Sequence, residues 1–171
     1  MQIPFVKQEI QLSPVHIECL KQSIYTTFST VCGNGLKYLG LSSEIVQSKT
    51  EGIIGIISIV GDVSWALMLG FPRPTASTLA PVFAGFDIPY ESEDMGDIIG
   101  ELANIAAGDL VARLDVVGIR SGLSLPTVAR GSDLELLLPD RMPSIRMGFS
   151  AREREFWLKV AVRRPYRTFI S

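Results

Sequence analysis

Twelve residues constrain this chain more than any others: Asp97-Ile-Ile-Gly-Glu101-Leu-Ala-Asn104-Ile-Ala-Ala-Gly108. They read as helix. Spacings of three and four residues bring Asp97, Glu101, Asn104 and Gly108 to one side. The opposite side is expected to carry Ile98, Leu102, Ile105 and Leu110, a stripe fit to bury. Asn is a poor residue for a helix interior, and Gly100 and Gly108 each cost about 1 kcal/mol relative to Ala. A face built only for solvation needs none of these three. The segment is therefore either an ordinary solvated face or a rigid platform. As a platform, it presents an acid and an amide one turn apart to an approaching group.

A chain of 171 residues fits one domain, spanning 1–171, with a real core. A net charge of −2 gives no general attraction to nucleic acid or an anionic membrane. The last thirty-one residues are locally basic, with Arg141, Arg146, Arg152, Arg154, Lys159, Arg163, Arg164 and Arg167. They read as the solvent-facing sides of strands. The start, Met1 to Glu9, has neither a basic head nor an apolar core, so no export signal is expected. Cys19 and Cys32 lack metal-type spacing and read as reduced thiols of a cytoplasmic protein. Residues 53–71 are apolar enough to raise the question of a membrane span. Gly61-Asp62 interrupts them, and two strands turning there explain the pattern better than insertion.

Periodicity supplies the rest of the outline. A helix is expected over 14–32, with Ser13 as cap, Pro14 in the first turn and Gly33-Asn34-Gly35 as stop. Strands are expected at 36–48, 52–60 and 63–70, then a short helix at 76–86. The motif helix should span 92–114. Further strands are expected at 117–130 and 133–138. Strict alternation in Ile145–Phe149 and Phe156–Val162 predicts a closing hairpin.

Other chemistries find little support. His16 is the single histidine, expected on the surface of the first helix, with no Ser or Cys nucleophile motif around it. No phosphate-binding loop of the Gly-x-x-x-x-Gly-Lys type is present, and no His/Cys/Asp/Glu cluster has metal-ligand spacing. An acid–amide pair alone lacks a nucleophile, a metal and a strong base.

Glu101-x-x-Asn104, with Asp97 four residues before the Glu and Pro126 twenty-two after the Asn, resembles a known signature. It is that of the CheC/CheX/FliY phosphatases of bacterial chemotaxis. The likeness extends through Ile99–Gly108, through Ser58–Val63 upstream, and through Leu125–Val128 with Gly131 downstream. A single motif copy places it nearest the CheX branch. The resemblance implies an α/β (α+β) CheC-like fold, with two pseudo-symmetric halves and long helices packed on an antiparallel sheet. It implies hydrolysis of the aspartyl phosphate of a CheY-like response regulator. Asn104 would orient the attacking water, and Glu101 would pair with the receiver's Lys. Asp97, Gly108 and Pro126 would be supporting residues. No cofactor or metal of its own is implied, since Mg²⁺ belongs to the receiver. A homodimer is expected. The alternatives are a receiver-binding adaptor without catalysis and a structural component of a flagellar switch.

A faint repeat fits two halves. Gln22, Thr26, Ser29 and Gly33 lie over Asp97, Glu101, Asn104 and Gly108 with the same spacing. Thr26 and Ser29 supply neither acid nor amide, so the first copy is expected to be catalytically empty.

Overall fold

The computed structural model describes residues 12–42, 51–132, 134 and 142–163. Helix α1 spans Pro14–Cys32, and Ser13 caps it by accepting a hydrogen bond from the His16 amide at 3.4 Å. Strand β1 is Lys37–Ser42; the remainder of the strand expected to 48 lies outside the described residues. Strands β2 (Gly52–Gly61) and β3 (Ser64–Pro72) turn at Gly61-Asp62, as expected. Helix α2 is Arg73–Ala84, earlier than predicted, because Pro72-Arg-Pro74 starts it directly from β3. Helix α3, the motif helix, is Glu93–Val116, with Ser92 as cap.

The strand expected at 117–130 is two pieces, β4 (Ser121–Leu123) and β5 (Thr127–Gly131). The strand expected at 133–138 lies outside the described residues, apart from Leu134. The closing hairpin is β6 (Ser144–Ala151) and β7 (Arg154–Val162). Its tight turn places Arg152 and Glu153 at φ 50° and 61°, the left-handed conformations a two-residue hairpin loop needs.

Seven strands form one antiparallel sheet in the order β1-β6-β7-β3-β2-β4, with β5 also paired to β2. This order has a two-fold logic. The series α1, β1, β2, β3 is matched by α3, β4–β5, β6, β7. The strands β3 and β7 meet at the centre, β2 and β6 flank them, and each half lends its edge strand to the other. The repeat between α1 and α3 thus extends to the strands.

Both lent strands carry one extra residue. In β1 the pairing slips between Tyr38 and Gly40, leaving Leu39 unmatched. Along β2, Ile59 pairs with Leu123, and Ser58 meets Ser124 through a backbone hydrogen bond of 2.9 Å. Beyond that point Ile56 pairs with Thr127, so Leu125 and Pro126 together face Ile57. Such a bulge suits proline, which cannot donate to the ladder.

The helices cover one face of the sheet. Phe28 of α1 stacks on Phe156 at 4.5 Å between ring centroids, and Phe71 and Phe149 complete the aromatic cluster. All four are fully buried, and each contributes about 1.5–3 kcal/mol by leaving water. His16 is half-buried rather than on the surface, set edge-on to Trp65 at 5.3 Å. On the other face Ile54, Met68 and Ala161 form a second apolar cluster with Trp157. Gly70 is required there, because a side chain would overlap the indole of Trp157. Both faces of β3 are therefore buried, as befits the strand at the centre.

Candidate functional site

Helix α3 carries the site, and its buried face differs from the expected stripe. Leu102 and Leu110 are buried, but Ile98 is only partly so and Ile105 is 37% exposed. The sheet-facing seam is Ile99, Leu102, Ala103, Ala106 and Leu110. Its centre is small because α3 lies very close to β2. A Cβ on Gly55 would fall 2.8 Å from the Ala103 Cβ and 3.1 Å from the Ile99 carbonyl oxygen. Alanines therefore make contacts that isoleucines could not, and Ile105 is displaced to the flank beside the site.

Opposite that seam lie Asp97, Glu101, Asn104 and Gly108. Asp97 and Glu101 are exposed, and Asn104 and Gly108 are half-buried. Among the described residues the side chains of Asp97, Glu101 and Asn104 make no hydrogen bond or ion pair. An interior helical Asn without a partner gains nothing for the fold it sits in. Around Gly108 there is open space, with nothing within 4 Å of where a Cβ would stand. The acidic first turn, Glu93 and Asp94, suits the positive end of the helix and adds negative charge next to Asp97.

Pro126 reaches the same helix from the sheet edge. A Cβ on Gly100 would meet the Val128 Cγ2 at 3.3 Å and the Pro126 Cγ at 3.8 Å. Gly100 is thus explained by a close approach from within the chain. One extra residue shifts a strand's side chains from one face to the other. The bulge accordingly turns Leu125 outward, at 88% exposure, and puts Pro126, Val128 and Arg130 on the side of α3. Gly100 and Asn104 are four residues apart on one ridge, so the prolyl ring borders the ridge that ends in the amide.

Three features escaped the sequence reading: the bulge, the exposed Ile105, and Arg130. Arg130 donates to the carbonyls of Tyr90 and Ser92 at 2.6 and 2.8 Å, where α3 begins. The alternation Pro126–Val128–Arg130 was the available signal. On α1, Thr26 and Ser29 are both exposed; Thr26 accepts a hydrogen bond from the Arg113 guanidinium at 2.8 Å, and Arg113 also pairs with Asp109 at 2.5 Å. The two helices are therefore joined beside the acid-free copy.

Among the described residues no group of three or more His, Cys, Asp or Glu could hold a metal ion. No helix among them is long and apolar enough to cross a membrane. Burial pushes the Cys19 and Cys32 thiols above their usual range, which disfavours thiolate chemistry. Of the basic C-terminal residues, Arg146 and Lys159 are cross-strand neighbours on the sheet face away from the helices. Burial and the adjacent Arg146 hold the Lys159 ammonium below its usual range. Arg152 and Arg154 are exposed, and Arg141, Arg164 and Arg167 lie outside the described residues.

The model of the family "Chemotaxis phosphatase CheX" matches residues 53–150, which include the turn between β2 and β3, α3 and the bulge. The CheY-P phosphatase CheX of Thermotoga maritima is 28% identical over 122 residues, covering 70% of this chain and 78% of that protein. A CheC-like superfamily protein from Shewanella sp. PV-4 superposes with a TM-score of 0.79 at 18% identity, over 90% of this chain and 100% of the other. CheX in the CheX–CheY–BeF3–Mg²⁺ complex from Borrelia burgdorferi gives 0.74 at 15%, over 87% and 98%.

Proposed function

This chain belongs to the CheX family of chemotaxis phosphatases, and from that premise we propose that it hydrolyses the aspartyl phosphate of a CheY-like response regulator. The observation that carries the reading is the pair Glu101 and Asn104. They stand on the outward face of a helix locked to its own sheet, and neither has a hydrogen-bond or ion-pair partner among the described residues.

The receiver supplies the phosphoryl group on its aspartate, a Mg²⁺ ion and a lysine. Hydrolysis then needs a water held in line with the bond to be broken. Water oxygen bonds to phosphorus, the bond from phosphorus to the aspartyl oxygen breaks, and the aspartate leaves as carboxylate. The proton released by the water passes to the phosphate or to solvent. Positioning and charge neutralisation dominate such a transfer. Asn104 orients the water through its side-chain amide. Glu101 pairs with the receiver's lysine and sets the depth of docking. Fixing one water at attack geometry can lower a barrier by several kcal/mol. Asp97 adds negative charge one turn before Glu101 on the docking face, Gly108 leaves room for the receiver, and Pro126 borders the ridge.

Support comes from the Thermotoga relative, a CheY-P phosphatase, and from the similarity to a CheX seen bound to CheY. The test is decay of acyl phosphate on a CheY-type receiver with and without the protein. Acceleration at catalytic protein concentrations is expected; binding without acceleration would make the chain an adaptor. A homodimer is proposed as the working form. The closing hairpin offers little reason for it, because its apolar side is buried under the chain's own helices. The better argument is edge strand β1, where Leu39 and Leu41 are 51% and 52% exposed. A monomeric mass by light scattering at micromolar concentration would exclude it.

A further inference from the structure

We propose that Arg130 is a positioning residue for Asn104, acting through the start of α3; this rests on the phosphatase reading above. Tyr90, Glu91 and Ser92 lead into α3, and Ser92 is its cap. One Nη of Arg130 donates to the carbonyls on either side of Glu91, those of Tyr90 and Ser92. Arg73 holds Tyr90 and Glu91 from the start of α2. Its guanidinium lies 4.6 Å from the Tyr90 ring centroid and pairs with both Glu51 and Glu91. Tyr90 itself is buried at 5% exposure, so the segment is anchored by packing as well as charge.

The geometry couples this clamp to the site. Arg130 and Val128 of β5 and Pro126 just before it share one face, and all reach α3: Arg130 at its cap, the other two at Gly100. From Ser92 to Gly100 the helix rises roughly 12 Å, and from Pro126 to Arg130 the strand covers roughly 14 Å. The two elements run alongside one another, matched in length and fixed at both ends. Pro126 and Val128 limit how near the helix can come, but apolar contacts slide. The hydrogen bonds of Arg130 fix position along the axis. Asn104 lies roughly 18 Å up the same rigid rod from Ser92, so an axial slip at the cap arrives undiminished at the amide. Misplacement by about 1 Å can cost a hundredfold in rate.

The experiment measures two quantities for a CheY-type receiver: single-turnover loss of its acyl phosphate at saturating protein, and affinity for its beryllofluoride-activated form. The variants are Arg130→Met, Arg130→Lys, Asn104→Ala and the double variant Asn104→Ala with Arg130→Met. Arg130→Met is expected to slow turnover about tenfold or more while affinity changes less than about threefold. Arg130→Lys, which keeps a charged donor, should recover part of the rate. In the Asn104→Ala background Arg130→Met should add no further loss, because there is no amide left to place. Full turnover in Arg130→Met, with Asn104→Ala inactive, overturns the proposal and leaves the phosphatase reading intact. An equal loss from Arg130→Met in both backgrounds also overturns it, as it would indicate general destabilisation. Full turnover in Asn104→Ala refutes the phosphatase reading itself. Should Arg130→Met prove unfolded, Arg130→Lys alone and in the Asn104→Ala background decides by the same comparison.

Discussion

Pro126 rests against Gly100, so that the residue immediately before Glu101 is the place where the edge strand touches the motif helix. The contact admits little more. A methyl group at Gly100 would sit 3.3 Å from the Val128 side chain, and anything larger must push β5 away. Gly100→Leu should therefore destabilise the protein by about 1–3 kcal/mol and lower turnover by more than the unfolded fraction explains. Chemical denaturation measured beside the steady-state rate checks both.

Gly108 makes the opposite case, with open space around it on the same helix. Gly108→Ala should stabilise the protein by about 0.5–1 kcal/mol through helix propensity. Gly108→Leu should remain folded but weaken affinity for a beryllofluoride-activated receiver, because the added side chain occupies the docking face. Melting temperature and calorimetric affinity separate the two effects.

Replacement of Thr26 and Ser29 together by Ala tests the empty copy. The change removes the Arg113 hydrogen bond to Thr26, an exposed contact whose loss should cost about 1 kcal/mol or less. Turnover should stay within about twofold of the parent, since an exposed Thr and Ser provide neither a carboxylate nor an amide. A large loss in the folded variant would place a second site on α1.

Much of this architecture was legible in the chain. Ser13 marked the start of α1, because a capping hydroxyl answers an orphan amide whatever the tertiary context. The closing hairpin was legible from its alternation, since period two has no helical meaning. The buried side of α3 was misjudged at Ile98 and Ile105. Hydrophobic spacing weights large residues, whereas here Gly55 opposite Ala103 draws the helix in on its small side. The bulge at Leu125-Pro126 depends on pairing with β2, a partner some seventy residues upstream, and so left only a proline as its local trace. Asp97, Glu101, Asn104 and Gly108 fell on one outward face because helical spacing alone decides that. The approach of Pro126 and Arg130 to the same helix required the sheet.

Glu101→Ala should act on binding. Truncating one partner of an interfacial ion pair typically costs about 2–5 kcal/mol, and Glu101 is exposed with no partner among the described residues to compensate. Affinity for the activated receiver should fall steeply with no loss of stability. Unchanged affinity would remove Glu101 from the docking contact.

Asn104 bears the central claim, and its test is the single-turnover rate of receiver dephosphorylation at saturating protein. Asn104→Ala should fold normally, bind the activated receiver nearly as well as the parent, and dephosphorylate it about a hundredfold more slowly, since an interaction realised only in the transition state is lost from the maximal rate. A rate equal to that of the parent would contradict water positioning by this amide.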